Sequence, residues 1–363
     1  MDTDNRQFGG LLPLLLSIAL IAVAAVPRTA TGGPSAGRLR IDRAALTSLV
    51  TELRADERRD LNGVFVSIDG ATALEEYFNG EGPDTLHDMR SAGKSITSLL
   101  VGIAIDRGLI RGVDVPLTTL LPEPPAPDKA RITLEDVLTM RSGLDADDEM
   151  PESAGNEDKM DRAPDWLAFA LRVPMKETPG RTYVYASVNA FLAGAVVERA
   201  TGAPLDEFAT KYLFEPLGIT KTQWRRGPNN RTAGQGNLRM RLRDMARIGQ
   251  MVLHAGAIDA GQGSRQVVSR AWIQRSLAGI TSIAARDPYA DAYGYMWYLK
   301  PLTVGGRTVT VHFASGNGGN KIYIIPSHRM VVAITSSAYG RGYGQQRSQD
   351  ILLRVLAAAT PTE

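Results

Sequence analysis

One short run in this chain places a nucleophile and a base one helical turn apart: Ser91-Ala92-Gly93-Lys94. A serine hydroxyl is a weak nucleophile until a neighbouring group takes its proton. A lysine three residues on lies on the same helix face. It can take that proton if burial or nearby positive charge holds it neutral. In a first helical turn, Ser91 would also meet free backbone N–H groups and the positive end of the helix dipole, which favour developing negative charge. The spacing therefore suits acyl transfer. On their own, the same four residues also read as a helix N-cap followed by a solvated first-turn lysine.

Other chemistry has less to stand on. The chain has no cysteine, which excludes disulfides, thiolate metal sites and a thiol nucleophile. The four histidines, His87, His254, His312 and His328, are not spaced for a metal site. A Ser-His-Asp triad is not excluded by spacing, since triads assemble in space, but Ser91 already has a nearer base. No cofactor is expected. The balance of 44% apolar and 22% charged residues is that of a globular enzyme. A net charge of +2 without a basic stripe gives nucleic-acid binding no support.

The elements around Ser91 are legible from periodicity. Ile41 to Arg58 has helical spacing. Val64 to Ile68 and Leu74 to Phe78, joined through Asp69-Gly70, read as a hairpin. Ser91 to Asp106 reads as a helix stopped by Gly108. Helices are also expected at Leu134 to Met140, Asp165 to Leu171, Ala190 to Ala200, Leu205 to Phe214 and Leu242 to Leu253. The acid-rich stretch from Asp145 to Asp165 is expected to be irregular, either a loop over a cleft or a solvated surface loop. Thr308 to Phe313, Lys321 to Ile325 and Met330 to Thr335 read as a three-strand meander sharing one sheet with the N-terminal hairpin. A final helix is expected at Gln346 to Ala358.

From about Arg58 onward, an ordered series of segments resembles the serine β-lactamase and penicillin-binding-protein superfamily. Within it, the segments resemble in particular the 6-aminohexanoate-dimer-hydrolase-like branch. The segments are the helix opened by Ser91, Ile132 to Asp145, Pro216 to Ile219, Leu238 to Gln250, and Tyr293-Gly294-Tyr295-Met296-Trp297. The resemblance implies an α+β fold: an antiparallel sheet flanked by helices, with an all-helical subdomain inserted at about 107–235. It implies a mechanism in which Ser91 attacks an ester or amide carbonyl, forms an acyl-enzyme and is released by water. Tyr185, in Tyr185-Ala186-Ser187, matches the second catalytic element and would shuttle a proton to the leaving group, with Ser187 as a substrate-binding residue.

The third element of the family is Lys-Thr-Gly or a variant, and its place here is Ala314-Ser315-Gly316. Ser315 and Gly316 would contact substrate, and the backbone N–H groups of Ser91 and Asn317 would form the oxyanion hole. Ala314 departs from the pattern. It replaces the lysine that would pair with a substrate carboxylate, which argues against efficient β-lactam hydrolysis. His312, on the same strand face by alternation, is a partial substitute or a structural residue.

Leu11 to Val26 is an uncharged, mostly apolar run, the length of a secretion-signal core, and Val23-Ala24-Ala25 near its end offers small residues in a cleavable pattern. Residues 1–37 are expected to be a signal peptide plus linker, or a membrane anchor if uncleaved, and 38–363 the hydrolase domain. The protein is thus expected to be exported, to act on a small-molecule ester, amide or peptide, and to meet a membrane only if the leader stays attached. The alternatives are a D-amino-acid peptidase or β-lactamase, and a catalytically silent sensor or binding module of the same fold.

Overall fold

The computed structural model describes residues 39–121, 127–259, 261 and 263–361. The apolar run at 11–26 and the proposed cleavage region lie outside the described residues. The centre of the fold is an antiparallel eight-stranded sheet. Its strands are β1 (Leu61–Ile68), β2 (Ala71–Tyr77), β3 (Thr281–Ser282), β4 (Ala292–Tyr293), β5 (Tyr298–Val304), β6 (Arg307–Gly316), β7 (Asn320–Ile325) and β8 (Met330–Ser336). In space they run β2-β1-β8-β7-β6-β5-β4-β3. The β1–β8 pairing, Val66 opposite Val332, joins the two ends of the chain in one sheet.

Asp69 and Gly70 both have positive φ, 52° and 78°, which is what a tight hairpin turn between β1 and β2 requires. β7 and β8 are buried at every position. Their near-continuous apolar sequence fits a sheet covered on both faces. Helix α4 (Leu242–Leu253) packs on one face against β1, β7 and β8. The other face is covered by α5 (Tyr343–Ala358), against which α1 (Arg43–Arg54) packs. Between 107 and 235, the described elements are helices and one short strand, Thr222–Trp224. From this stretch α3 (Ser187–Thr201) packs against α2 (Gly93–Asp106), the helix just before it.

Among the elements missing from the sequence expectation are a sheet strand and a helix of the acid-rich stretch. Strand β5 is absent from that expectation, because Lys300 and Pro301 interrupt the β pattern. Pro301 is tolerated because β4 pairs only with Tyr298 and Leu299, so beyond Leu299 one side of β5 has no ladder to satisfy. The acid-rich stretch contains a helix at Glu157–Arg162. Its charged surface hides the helical period. The signals it does carry are the Asn156 side chain, which accepts the Asp158 N–H at 3.0 Å, and acids in the first turn.

Candidate active site

Ser91 sits in a 3-10 turn, Arg90–Ala92, that runs directly into α2. Arg90 has φ 52°, a left-handed backbone that costs about 1–3 kcal/mol for a residue with a side chain. Asp88 Oδ1 accepts the Arg90 N–H at 2.8 Å, and the Arg90 guanidinium lies 4.0 Å from the Tyr339 ring centroid. These contacts hold the turn that presents Ser91. On its other side the turn meets the end of β6. A Cβ at Gly316 would collide with the Met89 carbonyl oxygen, so only glycine lets the strand approach this closely.

Lys94 is only 2% exposed, which sets aside the solvated-lysine reading. Its ammonium has three protons and three acceptors: Ser91 Oγ at 3.0 Å, Ser187 Oγ at 3.0 Å and the Gln235 carbonyl at 2.8 Å. The Tyr185 ring centroid is 5.0 Å from Nζ. Burial pulls the Lys94 pKa down, but Tyr185, Glu157 and Asp148 together outweigh it, and the pKa is raised above the ordinary lysine value. The expectation that Lys94 acts as a neutral base does not match these surroundings, which favour its charged form.

The two carboxylates come from the acid-rich stretch. Asp148 accepts the Ser187 N–H at 2.7 Å and the Glu157 N–H at 3.1 Å. Burial pushes both carboxyls up, and the Lys94 charge opposes it in each. The stretch is therefore a wall of the cleft as well as a surface loop: Asp147, Asp148, Glu149, Glu157, Asp158 and Asp161 all line it. Arg225 faces this wall and pairs with Asp161 at 2.7 Å.

The cleft has a volume of about 760 Å³ and brings together Ser91, Tyr185, Ser315, Gly316 and Asn317. Lys94 lies beneath Ser91. Ser187 is fully buried, and its hydroxyl serves Lys94 instead of facing the cleft. The backbone N–H groups of Ser91 and Asn317 donate to no other group among the described residues, as donors awaiting an oxyanion must. The Asn317 side chain is used structurally, accepting the Gly340 N–H at 2.8 Å. Ala314 is fully buried, and neither it nor His312 lines the cleft. Burial pushes the His312 pKa down, so a neutral imidazole does not replace the missing lysine. Sequence reasoning missed Asp148, Glu157, Gln235 and Lys321. The acids were visible only as a charged stretch, and nothing local marked Gln235 or Lys321.

A family model described as Beta-lactamase matches residues 46–356. The chain belongs to the beta-lactamase family. It is 28% identical over 336 residues to the 6-aminohexanoate-dimer hydrolase of Paenarthrobacter ureafaciens, covering 88% of this chain and 83% of that protein. The lovastatin esterase of Penicillium rubens is 30% identical over 189 residues, 46% of this chain and 47% of that one. Two solved structures share the fold. The octameric penicillin-binding protein homologue from Pyrococcus abyssi has a TM-score of 0.68 at 20% identity, covering 86% of this chain and 78% of its own. A penicillin-binding protein homologue from Caulobacter crescentus has a TM-score of 0.68 at 20% identity, covering 87% and 96%. The beta-lactamase family is a family of hydrolases with an α+β fold, and this chain has that fold.

Proposed function

We propose that this beta-lactamase-family protein is a serine hydrolase that cleaves an ester or amide through an acyl-enzyme on Ser91. The observation that carries the reading is the contact of the buried Lys94 with Ser91 Oγ at 3.0 Å, at the floor of the cleft that Tyr185 and the end of β6 also line. Since Lys94 is held as an ammonium, it is not the group that takes the Ser91 proton. Tyr185 takes it: the neighbouring ammonium stabilises the Tyr185 phenolate, which becomes the phenol on accepting the proton. Lys94 also holds the Ser91 hydroxyl in place. The carbonyl carbon is then attacked by Ser91 Oγ, and its oxygen is received by the N–H groups of Ser91 and Asn317. Tyr185 returns the proton to the leaving alcohol or amine. Water then repeats the sequence on the acyl-enzyme.

A dimer hydrolase and an esterase among the relatives support an ester or amide carbonyl as the target. A silent binding module would have no use for the assembled Ser91, Lys94 and Tyr185. The test is mass spectrometry after exposure to a fluorophosphonate: one adduct on Ser91, absent from a folded Ser91→Ala protein. Screening against short-chain aryl esters, linear amide oligomers, D-peptides and a chromogenic cephalosporin then separates an esterase or amidase from a D-amino-acid peptidase or β-lactamase. Labelling at another residue, or none in a folded wild type, would overturn the assignment.

A further inference from the structure

A second buried lysine faces the cleft from a position the family pattern does not predict. Lys321, on β7, stands opposite Ser315 of β6 in the antiparallel register. It is 1% exposed, donates to Ser315 Oγ at 2.7 Å, and lines the cleft together with Ser315. Its Nζ lies 4.7 Å from the Phe313 ring and 5.9 Å from that of Tyr323. β5 pairs with β6 only as far as Phe313, so Ala314 to Gly316 form an open edge along which a substrate can lie. With Lys321 as its donor, the Ser315 hydroxyl has its own proton to offer to the cleft. The acceptor it has, Gln345 Oε1 at 3.5 Å, is at the limit of hydrogen-bond distance.

We propose that Lys321, acting with Ser315, is a specificity determinant that binds a carboxylate carried by the substrate, supplying from the adjacent strand the positive charge that Ala314 lacks. The inference rests on the acyl-transfer reading of Ser91 and adds the class of substrate: an ester or amide bearing a carboxylate.

The setting makes this recognition pH-dependent. Burial pulls the Lys321 pKa down to about 7, and Asp287 partly opposes it. The other titratable groups that face it are Tyr289 from the same loop as Asp287, Tyr298 and Lys300 on β5, and Tyr323 on its own strand. Helix α5 contributes Gln345, Gln349 and Leu352 at this wall, all uncharged. A bound carboxylate favours the ammonium form, so anionic substrates lose binding as pH rises through about 7. Neutral substrates do not share this dependence.

The experiment compares matched esters. Phenyl acetate and 3-carboxyphenyl acetate vary the leaving side, and 4-nitrophenyl butyrate and the 4-nitrophenyl monoester of glutaric acid vary the acyl side. kcat/KM is measured between about pH 5.5 and 9 for the wild type, Lys321→Met and Ser315→Ala. On one of the two sides, each variant should lose about tenfold more on the carboxylate ester than on its neutral twin. The wild-type anionic-to-neutral ratio on that side should fall by up to about tenfold per pH unit above the titration of Lys321, and should be flat in Lys321→Met. Equal losses on both members of both pairs, or a wild-type ratio independent of pH, would overturn the proposal. A binding measurement keeps the test independent of turnover. In a Ser91→Ala background, calorimetry with 3-carboxyphenyl acetate and with the glutarate monoester should show one Kd weakened about tenfold by Lys321→Met. Unchanged Kd values for both would refute it. Failure of the wild type to hydrolyse either neutral ester would instead count against the Ser91 reading.

Discussion

The charge state of Lys94 depends in part on Asp148 in the wall of the cleft, and Asp148→Asn tests this. Asp148 reaches Lys94 through Ser187, whose N–H it accepts at 2.7 Å and whose Oγ accepts from Lys94 at 3.0 Å. Two charges about 6 Å apart at an effective dielectric of about 20 attract by about 3 kcal/mol. Neutralising Asp148 removes a cause that raises the Lys94 pKa and leaves burial, which lowers it. The active form needs the ammonium, so the alkaline limb of kcat/KM is the loss of that proton. In Asp148→Asn the limb should move to lower pH. The assay is hydrolysis of a neutral aryl ester from about pH 6 to 10.5, with far-UV circular dichroism and Tm to confirm folding. A limb that stays in place, or moves upward, would show that Asp148 does not hold the lysine charged.

Further expectations follow from the same geometry. Tyr185→Phe should lower kcat by about 10²–10⁴-fold with a smaller effect on KM, the pattern of a lost proton acceptor, read by steady-state kinetics on an activated ester. Lys94→Met leaves Asp148 and Glu157 buried without their cation, and should reduce stability by about 3–5 kcal/mol at neutral pH as well as activity. Urea titration measures the first, and an unchanged midpoint would contradict the electrostatic account. Gly316→Ala should cut kcat and lower Tm, because its Cβ meets the Met89 carbonyl and pushes β6 from the Ser91 turn. Full activity in this variant would show that close approach is not required. We also propose export: mass spectrometry of protein from its native host should find a mature N-terminus between Val26 and Gly37, and an intact N-terminus in a soluble cytoplasmic fraction would refute it.

Much of this molecule was local and therefore legible. Asp69-Gly70 specified a hairpin because few residues accept two successive positive φ angles. Leu242 to Leu253 declared itself through a one-sided apolar stripe, and the observed helix has the same bounds. Ser91-x-x-Lys94 encoded its own contact, since one helical turn fixes both side chains on one face. The spacing did not encode the charge of that lysine. This depends on Tyr185, Glu157 and Asp148, which lie far along the chain and meet Lys94 only after the helical segments pack. Ser187 illustrates the same limit. Its place beside Tyr185 was readable, but packing turned its hydroxyl toward Lys94 and buried it. Strand position 314 was likewise readable as lacking a cation. That Lys321 approaches the same wall was decided by the β6–β7 register, which sets Lys321 opposite Ser315. Sequence spacing fixes neighbours within one helix or strand, while burial and cross-strand partners, which set charge and specificity, exist only in the folded protein.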